Sequence, residues 1–482
     1  MFENLTKKFK DIISAGANSV ITEKQFFEFE IARWKYGPKR KMMIDGERYY
    51  NGDHDILRRK RTAIGKGGEV EEIKNIPNNR IVDNQFKKMV DQKANFLLSK
   101  PITFESGNDK FDEELKLIFN RQFQNRLKNG GVDGYCGGIS WIYPYYDDKG
   151  NLMFQKFKPY EVLPFWSDAE HTILDCAVRL YEVEVYEGTS LRIQEKVEIF
   201  KSDGLYRYDL TNNVLYPDSE NPKSDYITID GKPYNWDEIP LIPFKVNFKE
   251  IPLLKCVKGL QDALNLLLSD FVNNMNEDIR NTILVIRNYD GQDLSEFRRN
   301  LAVYGAVKVK TVDGADGGIE ALKIEVNAEN YELILKLIKK AIIENAMGYD
   351  AKDDRIGANA NQMNLLSMYN DISLDADNME SEYQASFEKL LFFVKHHLKN
   401  TGKGDFLSHD VKITFNRDMI QNENDIIDNL VKLGVQLPNE LLIGQVPFVD
   451  DVQKAIEMLK KEREEESIYN DAFDGLDDGE KE

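Results

Sequence analysis

The sequence predicts an α+β protein in which strands and helices occupy different parts of the chain. Short strand-like segments, broken by Pro and Gly, run through residues 139–243. Residues 253–399 instead contain three long stretches whose apolar residues recur at helical spacing. With 41% hydrophobic and 30% charged residues in a chain of 482, the composition is that of a globular protein with material for about three domains.

The N-terminal part, residues 1–252, predicts a mixed α/β region. A helical opening precedes a second helix at residues 84–98, which a Lys-Pro pair at residues 100–101 stops. Strand-like segments follow, and two of the clearest are residues 141–146 and 181–186.

A first long helix is predicted over residues 253–275. Its apolar residues repeat at intervals of four and three: Leu253, Val257, Leu260, Leu264, Leu267, Phe271 and Met275. The other face is polar but carries few charges, and a helix of this length would span roughly 34 Å. A rod of this kind needs partners along its length.

Residues 276–327 predict a small α/β insert between two helices, with a turn at Asp313-Gly314. The predicted strands of the insert are residues 281–288, 306–311 and 319–326, and its predicted helix is residues 293–304.

A second long helix is predicted over residues 328–347. It is apolar around most of its circumference, so it must be covered on several sides, in a large core or between subunits. A narrow strip of lysines interrupts the apolar surface: Lys336, Lys339 and Lys340. Glu332 and Glu344 lie four residues from two of these lysines, so ordinary surface ion pairing is the alternative to a functional role.

The rest of the C-terminal part predicts a loop, a very long helix and a helical end. Residues 348–361 are rich in Gly, Asp and Asn and predict an exposed loop. Residues 362–399 keep heptad-like apolar spacing, and a helix of that length would reach roughly 55 Å; an extended piece completes region 362–417. Shorter helices are predicted within residues 418–466, before an acidic tail, residues 467–482, that we expect to be disordered.

Charge and composition exclude several classes of function. The net charge of −19 argues against a nucleic-acid clamp, which would normally be basic. No apolar run approaches the ~20 residues of a membrane-spanning helix, and the N-terminus lacks the pattern of a secretory signal, so we expect a cytoplasmic protein or one assembled in a cytoplasm. The three cysteines form no CxxC pair, and we expect buried thiols rather than disulfides or a zinc site.

Motifs for catalysis and cofactor binding are missing from the sequence. The Gly-rich stretches at residues 65–68 and 401–404 lack P-loop spacing, and residues 138–142 lack the second Gly of a nucleophile elbow. The five histidines include no HExxH pair, and we expect them at surfaces or interfaces. We therefore predict no catalytic residue, no metal site and no cofactor.

Four stretches, in this order, carry a resemblance to a known family. They are residues 49–57 (YYNGDHDIL), residues 79–104 (beginning NRIVDNQFK and ending LLSKPITF), residues 239–244 (IPLIPF), and residues 260–270 (LQDA, then SD). Together with the helix–insert–helix–loop–helix order, they make the sequence resemble the portal proteins of tailed bacteriophages, of the kind found in long-tailed phages of Gram-positive hosts. The resemblance covers roughly residues 20–400.

The resemblance implies a ring at one capsid vertex, usually of twelve subunits, through whose tunnel double-stranded DNA is packaged and ejected. It also implies docking of the terminase motor and later of a head-completion or tail adaptor, and contacts with capsid and scaffolding proteins. The protein would belong to the virion and, during assembly, to the host cytoplasm. The implied portal fold has a wing (1–252), two stem helices (253–275 and 328–347), a clip (276–327), a tunnel loop (348–361), a long wing-spine helix with the following segment (362–417), a crown (418–466) and the acidic tail (467–482).

The resemblance also implies roles for particular residues. Tunnel-loop residues that would face DNA are Lys352, Arg355, Asn359 and Asn361. The stem lining would be the lysine strip, and clip residues for partner docking would be Arg287, Arg298 and Arg299. The basic run at residues 58–61 would lie on the wing, where contact with capsid or scaffold and simple solvation are both open. Surface charges without a role in DNA passage are the alternative for the loop, and another ring-forming phage structural protein, of the tail or scaffold, is the alternative for the whole chain.

Overall fold

The computed structural model describes residues 22–64, 68–72, 76–229, 232–277, 283–287, 318–322, 328–350 and 362–417, with residues 456, 458, 459 and 461. These residues combine helices with antiparallel sheets, so the predicted α+β class is confirmed. The chain divides into two compact units: residues 1–348 with 374–417, and residues 349–373 with 418–482. Within the second unit, the rings of Tyr349 and Tyr369 lie 4.8 Å apart.

The described α-helices have both short and very long members. In chain order they are α1 Glu23–Lys35, α2 Pro38–Tyr50, α3 Gln85–Leu98, α4 Asp109–Ile118, α5 Arg121–Gly137, α6 Leu253–Glu277, α7 Ala328–Asn345 and α8 Gln362–Asn400. Local side-chain bonds fix several starting points. Thr22 and Gln25 form a reciprocal capping box at α1, and the side chains of Asn84 and Asn120 cap α3 and α5.

The described strands all pair in antiparallel fashion. They are β1 Thr62–Ile64, β2 Val70–Glu72, β3 Thr103–Glu105, β4 Ile139–Tyr146, β5 Leu152–Phe157, β6 Val162–Trp166, β7 Leu174–Glu187, β8 Ser190–Lys201, β9 Gly204–Thr211, β10 Val214–Pro217, β11 Lys223–Ser224, β12 Ile227–Ile229, β13 Lys232–Tyr234, β14 Ile242–Lys245, β15 Ile283–Arg287, β16 Gly318–Leu322 and β17 Lys412–Thr414.

Two sheets organise the first unit. One has six strands in the order β10-β9-β8-β7-β6, with β11 paired to β9, and the other has three strands in the order β14-β4-β5. The smaller pairings are β1 with β2, β12 with β13, β15 with β16, and β3 with β17. The strands predicted at residues 141–146 and 181–186 are confirmed as parts of β4 and β7.

An aromatic core joins the three-stranded sheet to the second half of α8. Phe244 of β14 contacts Tyr383 and Phe387 of α8, with ring centroids 5.0 and 5.5 Å apart, and all three side chains are fully buried. Burying one such aromatic side chain contributes about 1.5–3 kcal/mol. Ser386 also donates its hydroxyl to the carbonyl oxygen of Pro243 at 2.6 Å, which sets the position of the helix along the strand.

The three predicted long helices are confirmed. α6 extends two residues beyond its predicted end, α7 ends at Asn345, and α8 covers residues 362–400. The strands predicted at residues 281–288 and 319–326 are confirmed by β15 and β16, which pair with each other. The predicted helix at residues 293–304, the strand at 306–311 and nearly all of the predicted crown and tail lie outside the described residues.

Some expectations about exposure are wrong. Cys136 and Cys176 are buried, but Cys256 is exposed. The reason is its direction on α6, since Leu254, two residues earlier, is fully buried and two positions on a helix point to nearly opposite sides. His54 and His397, expected at surfaces or interfaces, are buried within the chain. Rings of Tyr49 and Tyr146 lie 4.4 and 5.5 Å from them.

Across the ranges given above, no helix is apolar over a length that would cross a bilayer. The same ranges contain no group of three or more His, Cys, Asp or Glu side chains placed to hold a metal ion.

Candidate functional site

One side of α6 is lined with polar residues that are completely buried. Gln261, Asn265, Ser269 and Asn273 follow each other at intervals of four, so they share one face, and each is 0% exposed. By contrast, Met275 of the apolar stripe is 57% exposed. Burying amides and hydroxyls is costly unless they find hydrogen-bond partners. The partners that the sequence predicted along this helix therefore include polar ones.

The partner of the polar face is residues 78–86, which consist of an extended segment, residues 78–84, and the first two residues of α3. Four of its backbone N–H groups donate to the four α6 side chains: Asn79 N to Asn273 Oδ1 at 2.7 Å, Ile81 N to Ser269 Oγ at 2.9 Å, Asp83 N to Asn265 Oδ1 at 3.0 Å, and Phe86 N to Gln261 Oε1 at 2.9 Å. We call these four N–H groups and four side chains the polar ladder.

The spacing of the polar ladder follows from backbone geometry. Four residues of α-helix rise about 6.0 Å, and two residues of extended chain rise about 6.6 Å. Alternate residues of an extended chain direct their N–H groups to the same side, so every second N–H meets every fourth helix side chain. The last step covers three residues because the chain turns into α3, whose first N–H groups lack partners within the helix. Gln261 accepts from one of them, that of Phe86.

Tyr49 and His54 hold the polar ladder from the side of α2. Asn265 Nδ2 donates to His54 Nδ1 at 2.8 Å, so His54 Nε2 carries the proton that it donates to the carbonyl oxygen of Tyr49 at 3.0 Å. The hydroxyl of Tyr49 donates to Asp262 Oδ1 at 2.6 Å and accepts from Lys258 Nζ at 2.8 Å. The end of α2 is thereby tied to α6 through side chains that are themselves hydrogen-bonded.

Burial lowers the pKa of His54 below its ordinary value of 6.5, against the opposing effect of its bond to Tyr49. As pH falls through the ordinary pKa, the unfolded chain therefore binds a proton that the folded chain does not. The free energy of unfolding consequently falls as pH drops below about 6.5, and this contribution is fully present above that value.

We expect the melting temperature of the protein to decline between about pH 7 and pH 5.5 in part because of His54. The variant His54→Gln should be less stable at neutral pH but should lose less stability across that window. Melting curves recorded at both pH values measure the two slopes. His397, whose pKa is also lowered by burial, is present in both proteins and serves as an internal control. Equal slopes would contradict the prediction.

The basic run at residues 58–61 is engaged within the chain. Arg59 forms a two-pronged ion pair with Asp270 of α6, at 2.7 and 3.3 Å. Its neighbours bond locally: Arg58 with Asp53 at 2.7 Å, Lys60 with Glu72 at 3.1 Å, and Arg61 with the carbonyl oxygen of Pro77 at 2.9 Å. Through Arg59, this run therefore helps to hold the N-terminal region against α6. Solvation and capsid contact, which the sequence left open, stay predictions for the run.

The lysine strip of α7 contains two kinds of lysine. Lys336 and Lys340 are exposed and pair with glutamates four residues away, at 2.6 and 3.8 Å, which is the pairing that the sequence left open. Lys339 is less exposed and pairs at 2.8 Å with Asp83, whose N–H belongs to the polar ladder. α7 and α6 are thus joined to the same extended segment.

The apolar surface of α7 has little cover within the described part of one chain. Tyr331 contacts Phe271 of α6, with ring centroids 5.0 Å apart. Three large apolar side chains are left 43–58% exposed: Leu333, Ile334 and Leu337. Closer to the end of α7, Ile342 is fully buried, so a core covers that end of the helix, and a subunit boundary stays a prediction for the exposed run.

The structure does not describe the side chains of the other candidate residues. Lys352, Arg355, Asn359 and Asn361, and likewise Arg298 and Arg299, lie outside the described residues. Arg287 is the last residue of β15, and its side chain is also outside what the structure describes. Their roles stay predictions.

A family model for phage portal proteins, described as SPP1 Gp6-like, matches residues 39–469. The chain belongs to this family. Over 428 residues it is 28% identical to the portal protein of Bacillus phage SPP1, covering 87% of this chain and 83% of that one. Over 440 residues it is 25% identical to the portal protein of Clostridium phage phiCD119, covering 88% of this chain and 93% of that one.

Family membership confirms the resemblance and the portal function predicted from the sequence. Portal proteins are structural components of the phage particle that connect head and tail and serve DNA packaging. The matched range includes every residue of the polar ladder, together with α6 and α7. The polar ladder, together with the contacts of Tyr49, His54 and Lys339, fixes α6 and α7 to the N-terminal region, and we call this set of contacts the junction.

Sequence reasoning missed the residues of this junction, although two signals pointed to them. The first is a set of uncharged polar residues that recur at intervals of four on the polar face of a long helix, residues 261–273. The second is the family resemblance itself, since three of its stretches, residues 49–57, 79–104 and 260–270, supply all of these side chains and N–H groups except Asn273, Lys258 and Lys339.

Proposed function

We propose that this portal protein assembles into a ring, usually of twelve subunits, at one capsid vertex, and that double-stranded DNA passes through the ring's tunnel. The exposed apolar surface of α7 carries the proposal. Leu333, Ile334 and Leu337 form a run of large apolar side chains that the described residues of one chain leave open to water, and such surfaces mark sites of protein association. Neighbouring subunits of a ring would cover them.

The proposed regions follow the family's architecture. The wing is residues 1–252, the stem helices are 253–275 and 328–347, the clip is 276–327, the tunnel loop is 348–361, the wing spine and following segment are 362–417, the crown is 418–466 and the acidic tail is 467–482. The polar ladder then joins wing to stem, since it links residues 79–86 to α6.

A weak, non-specific contact with DNA fits the charge of the chain. Each phosphate that a protein neutralises adds favourable counterion release and holds the duplex more firmly, so a net charge of −19 suits a tunnel through which DNA must slide. In a ring of twelve, each lysine that faces the tunnel is repeated twelve times. The proposed contacts are Lys352, Arg355, Asn359 and Asn361 in the loop, and Lys336, Lys339 and Lys340 on the stem.

The proposed partners other than DNA dock elsewhere on the ring. Arg287, Arg298 and Arg299 of the clip would meet the terminase motor and later a head-completion or tail adaptor, and the wing would meet capsid and scaffolding proteins in the host cytoplasm during assembly. The role is structural: we propose no catalytic residue and no cofactor.

Native mass and projection images of the purified protein test the ring. We expect particles near twelve times the subunit mass of 55.7 kDa, or a neighbouring count, with an open centre. A protein that stays monomeric, even when mixed with its capsid and scaffolding proteins, would overturn the proposal.

Replacing Lys352 and Arg355 together by Ala tests the DNA-facing loop. Because the change removes two positive charges from every subunit, we expect a different length or yield of packaged DNA in phage that carry the variant. Lys110→Ala removes an exposed charge of α4 and serves as the control. Packaging that matches the control would show that the loop charges have no part in DNA passage.

A further inference from the structure

Lys93 of α3 is a buried lysine outside the polar ladder. Its side chain is 1% exposed, whereas lysines are almost never fully buried without partners. Burial lowers the pKa of its ammonium group, and the charge of Asp375 opposes that shift. A charge in this position needs strong acceptors, and two other helices supply them.

The acceptors come from the two helices that flank the proposed tunnel loop. Lys93 Nζ donates to the carbonyl oxygen of Ala346, next to the end of α7, at 2.6 Å, and lies 2.9 Å from Asp375 Oδ2 in α8. The hydroxyl of Tyr135 in α5 donates to the same carboxylate oxygen at 2.7 Å. Since an ammonium group has three N–H donors, one side chain can join α7 to α8, and Tyr135 orients the carboxylate.

The chain leaves α7 through a tight turn at this point. Met347 has a φ of +52°, in the left-handed region that disfavours residues other than glycine. Gly348 N donates to the carbonyl oxygen of Ile343 at 3.0 Å, a bond typical of a helix end. Gly348 also approaches α3 so closely that a Cβ would lie 2.7 Å from Met89 Sδ. The carbonyl of Ala346, at the negative end of the helix dipole, therefore faces the Lys93 ammonium group at short range.

Ala346 and Asp375 lie on either side of residues 349–373 in the sequence. One buried ammonium group consequently contacts the chain just before that segment and just after it. We propose that Lys93 is a positioning residue that fixes both ends of residues 349–373 and so governs how the tunnel loop is presented to DNA. This inference rests on the proposed DNA-facing role of the loop; Lys93 acts through the segment's ends.

Hydrogen exchange in the assembled full-length protein is the first test. Lys93→Met keeps a side chain of similar length but removes the charge, and we expect the amides of residues 346–348 to exchange about tenfold faster or more. The β7–β8 hairpin should be unchanged. Lys88→Met, which removes an exposed lysine of the same helix, is the matched control and should leave both regions unchanged. Unaltered exchange at residues 346–348, or an equal increase everywhere, would overturn the proposal.

A second variant separates positioning from stability. Lys93→Met leaves the carboxylate of Asp375 without its cation, which can destabilise the protein as a whole. Combining it with Asp375→Leu removes both charges, so we expect the melting temperature to return toward that of the wild type while exchange at residues 346–348 stays fast. If the double variant restored slow exchange, Lys93 would act through stability alone, contrary to the proposal.

Measuring the packaged DNA distinguishes a failure of this inference from a failure of the proposed function on which it rests. Phage assembled with the double variant should contain rings of normal mass but a length or yield of DNA that differs from wild type and from Lys88→Met. Normal rings with wild-type packaging would overturn the positioning role only. A wild-type chain that formed no ring would instead overturn the proposed function.

Discussion

Asn265→Ala is expected to lower the free energy of unfolding by about 3 kcal/mol. Asn265 is fully buried; its Oδ1 accepts from Asp83 N at 3.0 Å and its Nδ2 donates to His54 Nδ1 at 2.8 Å. Truncation would leave the N–H group and the imidazole nitrogen buried without partners, and each such loss costs about 1–3 kcal/mol. The variant should also loosen residues 78–86 from α6, because a rung at the middle of the polar ladder is gone.

Thermal melting measures the loss, and we expect a decrease of about 3 °C for a chain of this length. Asn276→Ala, at an exposed position of the same helix, makes the same chemical change without touching the polar ladder and should be nearly neutral. If the two variants melted at the same temperature, water would be able to replace the Asn265 side chain, and the polar ladder would add little to stability.

Gly46→Ala should be at least as damaging, for a steric reason. Gly46 of α2 faces the backbone of α5, and a Cβ there would lie 2.0 Å from the carbonyl oxygen of Cys136 and 2.9 Å from its carbonyl carbon. Backbone atoms cannot rotate aside as a side chain can, so the two helices would have to separate. Overpacking commonly costs about 1–3 kcal/mol, and a clash with backbone should reach the upper end or exceed it.

A second helical glycine supplies the comparison. Gly259 of α6 has open space where its Cβ would lie, so Gly259→Ala should stabilise the helix by about 0.5–1 kcal/mol through backbone entropy alone. Melting curves and yields of folded protein for both variants measure the contrast. Similar values for the two would mean that α2 can shift away from α5 at little cost.

The long helices show which features of the fold the sequence predicts and which it does not. Apolar residues at helical spacing predicted α6, α7 and α8 to within two residues at each end, because apolar periodicity is a local property of the chain. The buried polar side of α6 was not predictable in the same way. Its partners, residues 79–86, lie about 190 positions earlier in the chain, and nothing local indicates that Asn273 or Ser269 will meet an extended backbone rather than water.

The same limit applies to buried charges. Lys93 looks like one surface lysine among several on α3, and only the folded chain brings the end of α7 and Asp375 to it. Family resemblance, by contrast, carried information about distant pairs. Residues 49–57, 79–104 and 260–270 are separate in sequence, yet they meet at one junction. The stretches that carry the resemblance therefore coincide with a junction that local sequence patterns do not reveal.

In the polar ladder, every second N–H group of the extended chain meets every fourth side chain of α6. These two spacings fix the number of residues in segment 79–86. One residue inserted between Asn79 and Asp83 would turn every later N–H group to the opposite side of the extended chain, and no single-residue shift of α6 could follow, because its acceptors recur only every fourth residue. Two residues inserted there would restore direction but add about 6.6 Å of chain. Homologous portal chains should therefore keep residues 79–86 free of insertions and deletions.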